Sequence, residues 1–122
     1  MTQYLCMAGA VAAADCIIKS EIKHPPVKNR GFALNRFEDH QKFVTVSSVL
    51  MTGVVAAALV LAPEKDRTGI ALILGGAVSN TADRIFRKYV VDYIPVGKVV
   101  FNLSDFAIIA GALITAYQEL KD

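Results

Sequence analysis

From Phe43 to Pro63 the chain runs 21 residues without a charged side chain. At about 1.5 Å per residue that is enough to cross the roughly 30 Å hydrocarbon core of a bilayer. Three further apolar runs, Tyr4–Ile18, Thr68–Ala82 and Asp105–Gln118, reach spanning length only by carrying polar residues inward. Asp15 lies in the first, Asp83 and Arg84 abut the second, and Asp105 opens the third. Such residues escape lipid when they face one another across a helix bundle. Gly53, Gly75-Gly76-Ala77 and Gly111-Ala112 supply small faces for close helix approach. The pattern predicts an all-α integral membrane protein of four transmembrane helices, with residues 1–122 forming one membrane-embedded domain.

Between the first two helices, Ser20–Lys42 is polar, with His24-Pro25-Pro26 breaking any helix and Asn29-Arg30-Gly31 marking a turn. Val27, Phe32, Leu34 and Phe37 suggest a small β-like cap in this first loop. Pro63–Arg67 is a tight connection, so the second and third spans form an antiparallel hairpin. Arg84–Val100 is the other long connection, with its turn expected at Pro95 and Gly97. Four spans put both long connections on one side of the membrane, with ten of the 13 Lys and Arg residues, among them Lys19, Arg84, Arg87 and Lys98. A positive-inside count would turn that side to the cytoplasm.

Composition agrees with a membrane protein: 54% of the 122 residues are hydrophobic, the mean hydropathy is +0.44, and the excess sits in runs. A net charge of +2, with no basic stretch interleaved with aromatics, argues against nucleic acid. Leu5–Ala14 is not preceded by Lys or Arg, so a first transmembrane helix is preferred over a secretory signal. Cys6 and Cys16 lie in that apolar segment without metal or disulfide spacing and are expected to be inert packing thiols.

A charge at membrane depth costs about 2.5–3.5 kcal/mol on insertion scales and calls for a functional reason. Asp83 and Asp105 each follow an asparagine three residues earlier, Asn80 and Asn102, a spacing that shares one helix face. A third acid, Asp92, lies between them in the apolar run Val90-Val91-Asp92-Tyr93-Ile94. Each has an ordinary alternative. Asp92 could be a turn residue, Asp105 an acid in the first turn of a helix, Asp15 and Lys19 an intrahelical ion pair, and Asp83 a structural partner for another helix.

Taken together, these motifs resemble the lipoprotein signal peptidase family, signal peptidase II. The likeness rests on Asp15 followed by Lys19, on Asn29-Arg30-Gly31, on Gly75–Arg84, on Val90–Ile94 and on Phe101–Asp105. It implies a bacterial membrane aspartic endopeptidase that removes the signal peptide of diacylglyceryl-modified prolipoproteins before the lipidated cysteine. On that likeness Asp92 and Asp105 are the catalytic pair, and Asn29, Gly31, Asn80, Arg84 and Asn102 position substrate. Asp15, Lys19 and Asp83 are supporting polar residues. No metal and no cofactor are implied, and the partners are the lipid-modified prolipoprotein and membrane lipids, not nucleic acid. The implied protein is a monomer in the cytoplasmic (inner) membrane of bacteria, with both termini inside, the β-like cap extracytoplasmic and the site towards the outer leaflet, against the charge count.

The chain departs from the family in its short N-terminus, in the twelve residues between Asp92 and Asp105, and in Phe32-Ala33-Leu34 after Gly31. Substrate range is affected by these more than chemistry is. Two neighbouring carboxylates in low dielectric share one proton, which suits them to activate water and to polarise a carbonyl. The alternatives are a catalytically silent paralogue that binds lipidated peptides, which would lose an aspartate, and a small proton-coupled transporter, which would normally show repeated halves.

Overall fold

The computed structural model describes residues 1–22, 27–29, 40–62 and 66–121. Four long helices dominate: α1 (Thr2–Glu21), α2 (Gln41–Leu61), α3 (Thr68–Phe86) and α4 (Leu103–Lys121). Four short strands lie between them: β1 (Val27–Asn29), β2 (Val90–Asp92), β3 (Ile94–Val96) and β4 (Val99–Phe101). Helix α3 is central and packs against α1, α2 and α4.

Its glycines explain that position. A Cβ on Gly75 would lie 2.6 Å from the carbonyl oxygen of Ala8 in α1, and one on Gly76 would lie 2.5 Å from the carbonyl oxygen of Ser104 in α4. Only a missing side chain lets the backbones approach so closely, the usual basis of helix association where lipid removes the hydrophobic drive. Gly111 meets Gly69 in the same manner lower in the α3–α4 seam. Gly53 is different: among the described residues nothing lies within 4 Å of a Cβ built there, so it meets none of the described helices and the small-face expectation fails at that position.

The burial pattern is inverted relative to a water-soluble domain. Buried residues include Asp15, Lys19, Ser79, Asp83, Arg84, Asp92, Asn102 and Ser104, while Leu50, Met51, Val54, Leu61, Leu113 and Leu120 are exposed. In α2 only Val44 and Leu59 are buried. Among the described helices, α2 alone is long and apolar enough to cross a membrane on length and composition. The others carry charge into the interior, as their sequences require.

Strand β1 pairs antiparallel with β2, with Val27 opposite Asp92, Lys28 opposite Val91 and Asn29 opposite Val90. Strands β3 and β4 form a hairpin closed at Gly97-Lys98, with Gly97 at a φ of 62°. That conformation costs glycine little and tightens the turn. Pro95 lies within β3 and not in the turn where it was expected, on an exposed strand that needs no donor from it. The first-loop cap is therefore represented by β1, and its partner comes from the second connection, which carries three strands not foreseen in the sequence. Phe32, Leu34 and Phe37 lie outside the described residues.

Candidate active site

The ends of three helices converge beside β2. Asn102 precedes α4, and its side-chain oxygen accepts the N–H of Asp105 at 2.8 Å while the Asp105 carboxylate accepts the N–H of Asn102 at 3.0 Å. This reciprocal arrangement satisfies two donors that a helix start otherwise leaves open. Asp105 is thus the first-turn acid of the ordinary alternative and a member of the polar cluster at once. The other Asp105 oxygen accepts the Asn80 amide at 3.1 Å.

Asn102 joins the two candidate catalytic residues. Its buried amide nitrogen lies 3.1 Å from Asp92 Oδ1, 3.2 Å from the carbonyl of Val91 and 3.0 Å from Asn80 Oδ1. Asp92 is delivered by β2 and Asp105 by α4, so one asparagine side chain spans a strand and a helix. Asp92 is buried and Asp105 half-buried. Arg84, buried on α3, lies in the attractive field of Asp92, Asp105 and Asp83.

The orientation of Asn80 follows from its neighbours. Lys19 Nζ reaches Asn80 Oδ1 at 3.0 Å. An ammonium only donates, so the oxygen of Asn80 must face Lys19 and its NH₂ must face Asp105. Lys19 also bonds Asp15 at 2.8 Å, Asp83 at 3.0 Å and Ser79 at 3.2 Å. Asp83 in turn takes the backbone N–H of Val91 at 3.0 Å and lies 3.5 Å from Arg87, so it fixes β2 against α3. The Asp15–Lys19 pair is therefore more than a pair at a helix end. It is fully buried and ties α1 to α3.

Of the residues singled out in the sequence, the structure brings Asp15, Lys19, Asn80, Asp83, Arg84, Asp92, Asn102 and Asp105 into this one region. The backbone of Asn29 lies on the strand beside β2, and Gly31 lies outside the described residues. Sequence reasoning missed Ser79, Ser104 and Tyr93. Ser79 and Ser104 both donate to Asp15 Oδ2, the former at 2.8 Å, and Tyr93 donates to Asp15 Oδ1. Their signal was adjacency: each neighbours a residue already chosen.

A cavity of about 270 Å³ opens between α2, α3 and α4 next to Asn80 and Arg84, with Met51, Ala77 and Ile108 in its wall. At its rim the hydroxyls of Thr52 and Thr81 meet at 2.9 Å and link α2 to α3.

A family model described as signal peptidase (SPase) II matches residues 2–121. A lipoprotein signal peptidase of Caldicellulosiruptor bescii is 34% identical over 98 residues, covering 79% of this chain and 65% of the relative. One of Caldanaerobacter subterraneus is 36% identical over 95 residues, covering 75% and 66%. One of Clostridium novyi is 31% identical over 115 residues, covering 87% and 78%. The chain thus spans just under two thirds of the length of the first two of these relatives. A solved structure titled as a bacterial membrane enzyme superposes with a TM-score of 0.85 at 18% identity, over 100% of this chain and 90% of that one. The fold is shared with that enzyme, and with its motifs matched almost end to end, the chain belongs to the signal peptidase II family.

Proposed function

We propose that this protein is an aspartic endopeptidase that removes the signal peptide from diacylglyceryl-modified prolipoproteins, cutting before the lipidated cysteine. The observation that carries the reading is the bridging of Asp92 and Asp105 through Asn102, whose side chain bonds one carboxylate and whose backbone bonds the other. In this reading one aspartate, as carboxylate, takes a proton from the water that attacks the scissile carbonyl. The other, as acid, hydrogen-bonds the carbonyl oxygen. The tetrahedral intermediate collapses when a proton passes to the departing amine, which restores the shared proton. The charge of Arg84 and the amides of Asn29, Asn80 and Asn102 suit the placement of peptide backbone, because such donors read few side chains.

The same reading makes the protein a single-domain monomer with four spans in the bacterial cytoplasmic membrane, its strands and site towards the outer leaflet. The apolar exposed surfaces of α2 and α4 support lipid contact, and the cavity between α2, α3 and α4 suits an acyl chain entering sideways from the bilayer. Each buried methylene then contributes about 0.8 kcal/mol, so lipid supplies most of the recognition. The test is incubation of the purified protein with a diacylglyceryl-modified prolipoprotein. A mass loss equal to the signal peptide is expected, and much slower cleavage of the same peptide without its lipid. Equal rates on the two peptides would remove lipid from the recognition, and no cleavage of either would end the assignment.

A further inference from the structure

Tyr93 follows Asp92 directly and grips the chain on both sides of Asn102. Its backbone N–H donates to the carbonyl of Phe101 at 2.8 Å, and its phenol oxygen accepts the N–H of Leu103 at 3.0 Å. The proton inventory leaves no ambiguity. Leu103 N–H can only donate, so the single phenol proton goes to Asp15 Oδ1. Leu103 is the first residue of α4, and its N–H is one of the donors a helix cannot satisfy for itself. Ser104, the next residue, donates to the second oxygen of Asp15. Asp15 is fully buried and held by Lys19 at 2.8 Å. A fixed anion on α1 thus anchors the first two residues of α4, one of them through Tyr93, and Asp105 comes next.

We propose that Tyr93 is a positioning residue for the aspartate pair, its hydroxyl setting the first turn of α4, and with it Asn102 and Asp105, relative to Asp92. The inference rests on the aspartic peptidase reading. Neither a cation nor a substrate is needed for the hydroxyl to act; it works through the backbone it holds. Burial, followed by the bond to Asp15, pushes the phenol well above its ordinary range, so it keeps the proton it donates. Replacing Tyr93 by Phe removes the oxygen and keeps the ring, which separates the hydroxyl's role from that of the side chain's bulk.

The test is Tyr93→Phe in the full chain, assayed in detergent with a diacylglyceryl-modified peptide beside wild type and Asp105→Asn. We expect kcat to fall about tenfold, the factor that follows from loosening one buried hydrogen bond, with KM within about twofold of wild type. Amide exchange at Leu103 and Asp105 should quicken by a similar factor. An unchanged kcat with unchanged exchange overturns the proposal. So does a rise in KM at constant kcat, which would make Tyr93 a substrate contact, and so does a variant that does not fold, which would make the hydroxyl a stability element. Failure of the peptidase reading shows itself separately, as wild type that leaves the lipidated peptide intact or as Asp105→Asn that cleaves normally. The exchange comparison then decides the tether by itself.

Discussion

Asp15 and Asp83 on one side, and Asp105 on the other, are acids of the same small region held in different ways. Asp15 and Asp83 share the ammonium of Lys19 at 2.8 and 3.0 Å, and Asp15 collects three hydroxyl donors besides. Asp105 is held by neutral amides, the side chain of Asn80 and the backbone of Asn102. The first arrangement is a buried charge network in which every member compensates another, so losing one leaves an uncompensated charge. The second fixes the position of a carboxylate through neutral donors, with no salt bridge to it among the described residues. A scaffold needs the first kind of contact, and a group that passes protons is served by the second. The two sets meet at Asn80, whose oxygen faces Lys19 and whose nitrogen faces Asp105.

The comparison breaks most directly at the aspartates. Asp92→Asn or Asp105→Asn should lower kcat by about 10³- to 10⁴-fold while leaving the melting temperature in detergent close to wild type. The double variant should be no slower than either single one, because the two act as a unit. Turnover near wild type by Asp92→Asn would remove it from the chemistry. Lys19→Met should do the reverse and cost about 3–5 kcal/mol of stability, read as loss of folded protein on heating or in denaturant. If Lys19→Met melts like wild type but no longer cleaves, the division between scaffold and chemistry is misplaced.

Asn80→Ala sharpens the boundary, since it removes one contact from each set. It should cost about 1–3 kcal/mol together with a drop in kcat of roughly tenfold. A loss confined to stability would assign Asn80 to the scaffold alone. The least perturbing test concerns orientation. Lys19, Arg84 and Arg87 count as bases on the long-connection side, yet all three lie against Asp15, Asp83, Asp92 or Asp105. We therefore expect them to weigh little in topology. In a background lacking Cys6 and Cys16, a cysteine at Lys98 should react with an impermeant thiol reagent on intact cells, and one at Asp66 should not. The opposite labelling would restore the positive-inside orientation.

Much of this was legible in one dimension. Hydropathy alone marks α2, because a span without charge needs no partner to explain it. The repeated asparagine three residues before aspartate located the polar faces of α3 and α4, and the spacing of Asp15 and Lys19 predicted their contact. Other features were not readable. Val99–Phe101 and Ile94–Val96 are too short for periodicity to separate from loop, and β2 gains its partner from β1, more than 60 positions earlier in the chain.

The sequence by itself determined which polar residues of the helices share a face, since a helix of fixed pitch puts each of them on a known side. Only the tertiary structure decided how they meet. Hydrogen-bond direction depends on the partner that arrives: Lys19 sets the amide of Asn80, and Asn102 is a helix cap until β2 brings Asp92 to its nitrogen. Tyr93 shows the same limit, as an aromatic in an apolar run between β2 and β3 until α1 supplies Asp15 to take its proton. Local sequence carries propensity and periodicity, but which donor faces which acceptor across 60 or more residues is settled by packing.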